Sequence, residues 1–130
     1  MKIMVCYDGS RSSREALRLG RDHAKAYNGS VVIVSSMLKG TESEKADIEK
    51  AELDLEFEKK ACQGEGIDCA THLLIRGLSA GEDLVQFAEE EMVDEIIIGV
   101  KRRSKVEKLV FGSTAQYVIL KSHCPVVTVK

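Results

Sequence analysis

The sequence predicts an α/β protein: a parallel five-stranded sheet with helices on both faces. Three observations carry that prediction. Short apolar runs recur along the chain, at Lys2–Tyr7, Val31–Val34, Ile96–Ile98 and Val126–Val129. Amphipathic helical patterns separate them, which gives the order β-α-β-α-β-α-β-α-β. The run Ile96–Ile98 has no polar alternation, as expected of a strand buried on both faces. Right-handed crossovers leave few arrangements of such a chain. Strand order 3-2-1-4-5 places a topological switch point between strands one and four, where open α/β sheets bind ligands.

Each element has its own justification. Lys2–Tyr7 is apolar and stops at the turn Asp8-Gly9-Ser10. Ser12 followed by Glu15 has capping-box spacing, which predicts a helix starting there. Ala16, Gly20 and Ala24 put small residues on one stripe, so this helix can lie close on a sheet. Asn28-Gly29 reads as its left-handed C-terminal stop. Val31–Val34 is the second strand, leading into Ser35, Ser36 and Met37.

Thr41 and Glu44 repeat the capping spacing before a long charged helix. Its buried face is predicted at Ile48, Ala51, Leu55 and Cys62, with Leu53 and Phe57 at the border. The stretch AELDLEF alternates as a strand would, but the density of Glu and Lys favours helix. Gly64 and Gly66 end it. Asp68–Arg76 is the third strand, half-exposed at its start. Ser79 with Glu82 opens a third helix, whose buried stripe is predicted at Leu84, Val85, Ala88 and Met92. Ala115, Val118, Ile119 and Ser122 mark the last helix. Cys124-Pro125 ends it, and Val126–Val129 follows as a strand at the sheet edge, open to pairing with a second chain.

The bulk properties exclude several classes. A chain of 130 residues is one domain by size, able to bury about two-thirds of its unfolded surface. The net charge of -2 gives no general pull toward nucleic acid or an acidic membrane. No apolar run spans a bilayer, and polar residues interrupt MKIMVCYDGS too early for a signal peptide. Cys6, Cys62, Cys69 and Cys124 show no C-x-x-C pairing, which points to a reduced, cytoplasmic compartment. His72 has no partner at metal-ligand spacing.

Chemistry concentrates in Gly99–Ala115, GVKRRSKVEKLVFGSTA. The segment joins a buried strand end, a cationic loop (Lys101, Arg102, Arg103, Lys105, Lys108) and a helix N-terminus at Gly112-Ser113-Thr114. A helix N-terminus offers unpaired N–H groups and the positive end of the macrodipole, the parts of a phosphate site. A βα connection with a solvated charged loop is the plainer reading. The loop exceeds the two to six residues typical of such turns. The 3-2-1-4-5 order also brings Asp8, ending strand one, beside Gly99, ending strand four. There is no Walker phosphate loop, no G-x-G-x-x-G after strand one and no G-x-S-x-G elbow. No nucleophile, base and orienter set is visible, so no catalytic residue is assigned.

These residues resemble the universal stress protein family over nearly the whole chain. The likeness lies in the first strand ending at Asp8-Gly9-Ser10, the IIIG strand, and the closing FGSTAQYVILKSHCPVVTV. The nucleotide-binding branch of that family carries Gly-x2-Gly-x9-Gly-Ser/Thr. Gly99 matches the first position and Gly112-Ser113 the last two. Arg102 stands where the second Gly is expected; its side chain would either narrow the triphosphate space or grip the phosphates.

The resemblance implies a Rossmann-like domain of the adenine nucleotide alpha hydrolase-like type, covering residues 1–130. It implies a cytoplasmic ATP-binding regulatory module, with Mg2+ or Mn2+ carried by the phosphates and no dedicated metal ligands. Asp8 and the backbone near Cys6 would contact the nucleoside, and Ser36 would lie against adenine. Gly99 would let the nucleotide pass close to strand four. Arg102, Arg103, Ser104 and Lys105 would fold over the phosphates held by Gly112, Ser113, Thr114 and Ala115. A homodimer through strand 126–129 and a regulatory protein partner are implied, with no nucleic acid or membrane partner. Slow ATP hydrolysis stays open, and so does a nucleotide-independent stress protein acting through its dimer surface.

Overall fold

The computed structural model describes residues 1–37, 44–101 and 112–130. The elements are β1 (Lys2–Cys6), α1 (Arg11–Tyr27), β2 (Ser30–Ser36), α2 (Lys45–Gly64), β3 (Cys69–Leu74), α3 (Ala80–Glu90), β4 (Glu95–Gly99), α4 (Ser113–Lys121) and β5 (Val126–Val129). The strands form one parallel sheet in the order β3-β2-β1-β4-β5. β1 lies at its centre, with Cys6 in register with Val34 on one side and Ile98 on the other. The expected order and switch point are therefore present.

Alternation along the central strands divides the core into two layers. Met4, Cys6, Val32, Val34, Ile96 and Ile98 face α3 and α4, meeting Leu84, Phe87, Ala88, Ala115 and Val118. Ile3, Val5, Ile33 and Ile97 face α1 and α2, meeting Ala16, Leu17, Ala24, Leu55 and Cys62. A continuous apolar run in β1 or β4 thus serves both layers, which is why those strands lack polar alternation. β3 alternates buried and exposed along its length, as a sheet edge allows.

The small-residue stripe on α1 does what its spacing predicts. A Cβ on Gly20 would stand 2.7 Å from Val5 Cγ2, so the close seat of α1 on β1 depends on this glycine. Asn28 ends α1 at φ 53°, ψ 45°, the expected left-handed stop.

Several local expectations are corrected. α1 begins at Arg11 with Ser10 as its cap, and the Ser13 N–H donates to Ser10 Oγ at 3.2 Å. Ser12, the expected cap, is instead buried inside the first turn. Ser79 does cap α3 by position, but its hydroxyl donates to Glu82 Oε1 at 2.7 Å rather than accepting from the backbone. Met92, expected in the buried stripe, is 78% exposed, because α3 stops at Glu90 and Met92 turns to φ 50°. Leu53 and Phe57, expected at the border of the α2 face, are both 71% exposed. Ile119 is likewise on the wet side of α4. The expected Thr41 cap lies outside the described residues.

Candidate functional site

The C-terminal ends of β1, β2 and β4 open into a cleft of about 590 Å³. That size falls within the range of small-molecule sites. Its walls come from six places in the chain. β1 and its turn contribute Cys6, Tyr7, Asp8, Gly9 and Ser10; β2 contributes Val34, Ser35, Ser36 and Met37. β4 and the residues after it contribute Ile98, Gly99, Val100 and Lys101. α2 adds Asp47, Ala51 and Asp54, and α3 adds Ala80 and Leu84. The first turn of α4 closes the ring with Gly112, Ser113, Thr114 and Ala115.

Two helix N-termini meet at this cleft in different states. At α1 side chains of the turn cap the terminus. The Ser10 N–H donates to Asp8 Oδ1 at 2.9 Å, and the Ser13 hydroxyl donates to the Ser10 carbonyl at 2.9 Å. Gly9 makes the turn possible at φ +82°, a conformation costly for residues with a Cβ. At α4 the cap is Gly112, which has no side chain to offer and makes no side-chain cap bond. A Cβ built there meets nothing within 4 Å among the described residues. Helix geometry leaves the first N–H groups of α4 without intrahelical acceptors, and they line the cleft together with the Ser113 and Thr114 hydroxyls.

Asp8 is an exposed acid of the cleft. Burial pushes its carboxyl up, but hydrogen bonds from Ser10 and Ser13 and the charge of Lys101 outweigh that and hold it below the usual carboxylate range. Lys101 Nζ lies 3.8 Å from Asp8 Oδ2. Both side chains are well exposed, so this pair contributes little stability. Burial, reinforced by Asp8, pushes the Cys6 thiol up to about 12. Cys6 is therefore an uncharged wall residue and not a nucleophile. Tyr7 is also pushed up to about 12, first by burial and then by Glu58 and Asp54.

On β2, the Ser35 hydroxyl donates to the Tyr7 carbonyl at 2.6 Å. Ser36 Oγ donates to Asp83 Oδ2 at 3.2 Å.

Eight expected site residues thus share one cleft: Cys6, Asp8, Ser36, Gly99, Gly112, Ser113, Thr114 and Ala115. Arg102, Arg103, Ser104 and Lys105 lie outside the described residues. Gly99 has a packing role of its own. A Cβ on it would come within 2.5 Å of the Ser12 carbonyl carbon and 2.7 Å of its oxygen, so this glycine admits the start of α1.

Sequence reasoning missed Asp47 and Asp54, because α2 reaches the cleft only through tertiary packing. It read Lys101 as part of the loop and not as the partner of Asp8. It also missed Asp83, although a signal was present: Asp83 stands four residues before Phe87, on the apolar stripe of α3. Among the described residues no group of three His, Cys, Asp or Glu could hold a metal ion. No described helix is long and apolar enough to cross a membrane.

Comparison with known proteins decides the family. The model of the universal stress protein family matches residues 1–130. The chain belongs to the universal stress protein family. A universal stress protein of Methanocaldococcus jannaschii is 31% identical over 149 aligned positions, covering 99% of this chain and 81% of that protein. A universal stress protein structure from Archaeoglobus fulgidus is 33% identical with a TM-score of 0.87, covering 100% of this chain and 93% of that one. A structure of the universal stress protein from the same organism in complex with dAMP is 32% identical with a TM-score of 0.84, covering 100% and 98%. The family therefore includes similar folds that take an adenine nucleotide.

Proposed function

We propose that this universal stress protein is an ATP-binding regulatory module of the cytoplasm, with the nucleotide held at the switch point between β1 and β4. The observation that carries the reading is the uncapped N-terminus of α4 opening into the cleft opposite Asp8. Backbone N–H groups and two hydroxyls converge where phosphate oxygens would accept. The cleft also has apolar walls, Val34, Leu84 and Ile98 among them, which suit a flat base. The complex of a 32% identical relative with dAMP supports an adenine nucleotide in this family member.

The residues fit the group in that sense: Gly112, Ser113, Thr114 and Ala115 toward phosphate, Asp8 and the backbone near Cys6 toward the ribose or the adenine edge, and Ser36 toward the base. The described residues offer no metal cage, so Mg2+ or Mn2+ would enter on the phosphates. Binding rather than turnover is the activity proposed. Bound ATP would change the choice of a protein partner.

A second reading has its own observation. β5 pairs only with β4 among the described strands, and Val126, Val127 and Val129 are partly exposed along its free edge. Such an edge suits a homodimer through residues 126–129, which would serve a nucleotide-independent stress protein as well. Calorimetric titration of nucleotide-free protein with ATP, with and without Mg2+, separates the two. Saturable binding is expected. A protein that neither takes up ATP nor carries it through purification would leave the dimer surface as the functional one.

A further inference from the structure

Behind the Ser36 wall of the cleft lies a carboxylate with no exposed side-chain surface. Asp83, on α3, is 0% exposed. Its Oδ1 accepts from Arg76 Nε, and its backbone carbonyl accepts from Arg76 Nη2 at 3.1 Å. Arg76 Nη1 is held in turn by Glu90, at 3.0 and 3.2 Å. That leaves Oδ2, which accepts from Ser36 Oγ at 3.2 Å. A chain of polar contacts therefore runs from the surface at Glu90, through Arg76 and Asp83, to a hydroxyl on the cleft wall.

The chain has a direction. A carboxylate only accepts, and a serine hydroxyl has one proton and two lone pairs. A buried carboxylate oxygen left without a donor is costly, so the Ser36 proton stays on the Asp83 side. What Ser36 shows the cleft is then a pair of acceptor sites. A ligand amino group placed there is satisfied, whereas a ligand carbonyl in the same place faces lone pairs and loses its water without replacement.

We propose that Asp83, braced by Arg76, is a positioning residue that fixes the hydrogen-bond polarity of Ser36, so that the base end of the cleft selects an exocyclic amine over a carbonyl. This rests on the nucleotide reading above and adds the device by which a 6-amino purine is told from a 6-oxo purine. Asp83 touches no ligand itself; it acts through Ser36.

The test compares ATP with inosine triphosphate, which differ at purine position 6, by calorimetric titration of the intact chain. The native protein is expected to prefer ATP by about three- to tenfold, the scale of one hydrogen bond. In Asp83→Asn the amide can donate to Ser36, freeing the serine proton to turn into the cleft. The ratio should then fall toward one, with the inosine nucleotide gaining relative to ATP. Ser36→Ala removes the acceptor with little change in volume and should also bring the ratio toward one. Should Asp83→Asn not fold, Ser36→Ala alone decides, and a native-like ratio in it overturns the proposal. Equal weakening of both nucleotides in folded Asp83→Asn, with the ratio kept, also overturns it and marks Asp83 as structural. Native protein that binds ATP without discriminating overturns it while leaving the nucleotide reading intact. Native protein that binds neither nucleotide overturns both.

Discussion

The two helix N-termini at the cleft make an instructive pair. α1 and α4 follow neighbouring strands, β1 and β4, and both begin at the same opening, yet one has a side-chain cap and the other does not. At α1, Ser10, Ser13 and Asp8 spend their donors and acceptors on one another and on the turn backbone. At α4, Gly112 leaves the first turn to find acceptors elsewhere. The dipole is the same in kind at both ends. What differs is whether a side chain has already taken the place of a ligand. On the function proposed above, one terminus serves stability and the other recognition.

The sharpest way to break that contrast is to fill the open terminus. Gly112→Val places a side chain where no described residue stands within 4 Å, and ATP affinity should fall by about a hundredfold, close to 2.7 kcal/mol. The fold should lose about 1 kcal/mol or less, as cap substitutions do. Titration calorimetry beside thermal melting reads both, and unchanged ATP affinity would falsify the phosphate assignment.

The opposite glycine should behave in the opposite way. Gly99→Ala drives a Cβ against the backbone of Ser12, so stability should fall by about 1–3 kcal/mol, as overpacking does. Denaturant unfolding measures it, and a neutral result would mean that α1 can retreat from β4.

Removing the closed terminus's own cap should cost less. Ser10→Ala loses the bond from the Ser13 N–H and should cost about 1 kcal/mol, with ATP affinity changed less than in Gly112→Val. If binding suffers more than stability, the two termini are not divided as described.

The smallest effect is the pH dependence of Asp8. Its carboxyl is held below its ordinary value in the folded chain, so the unfolded chain takes the proton more readily. The contribution is therefore present above the ordinary carboxylate value, about 3.9, and is lost as pH falls through the folded value. Asp8→Asn should melt slightly below the native protein at neutral pH, with the gap closing in acid. A gap that persists in acid would assign the effect to shape and not to charge.

Much of this contrast could be read from residue order. Gly112-Ser113-Thr114 before an apolar helical stripe announces an open terminus, and Asp8-Gly9-Ser10 announces a turn. Their meeting followed from the strand order, because alternating strands and helices with right-handed crossovers admit few sheets. Capping was legible only to within a few residues. Ser10, Ser12 and Ser13 are chemically alike, and which one caps depends on where Gly9 turns the chain. Met92 was misplaced because helical spacing says nothing of where a helix stops. Asp47 and Asp54 were invisible, since a charged helix reads as solvated until its neighbours are known.

By itself, then, the sequence determined the layers, the strand order, the small-residue seat of α1 and the family. These depend on periodicity and on residue types whose effect is local or repeated along the chain. Only the tertiary structure decided that Gly99 serves the Ser12 backbone, that Lys101 faces Asp8, and that Asp83 reaches under Ser36 with Arg76 behind it. Such contacts join residues far apart in the chain through single atoms, and no period in the sequence encodes a distance between side chains on different elements.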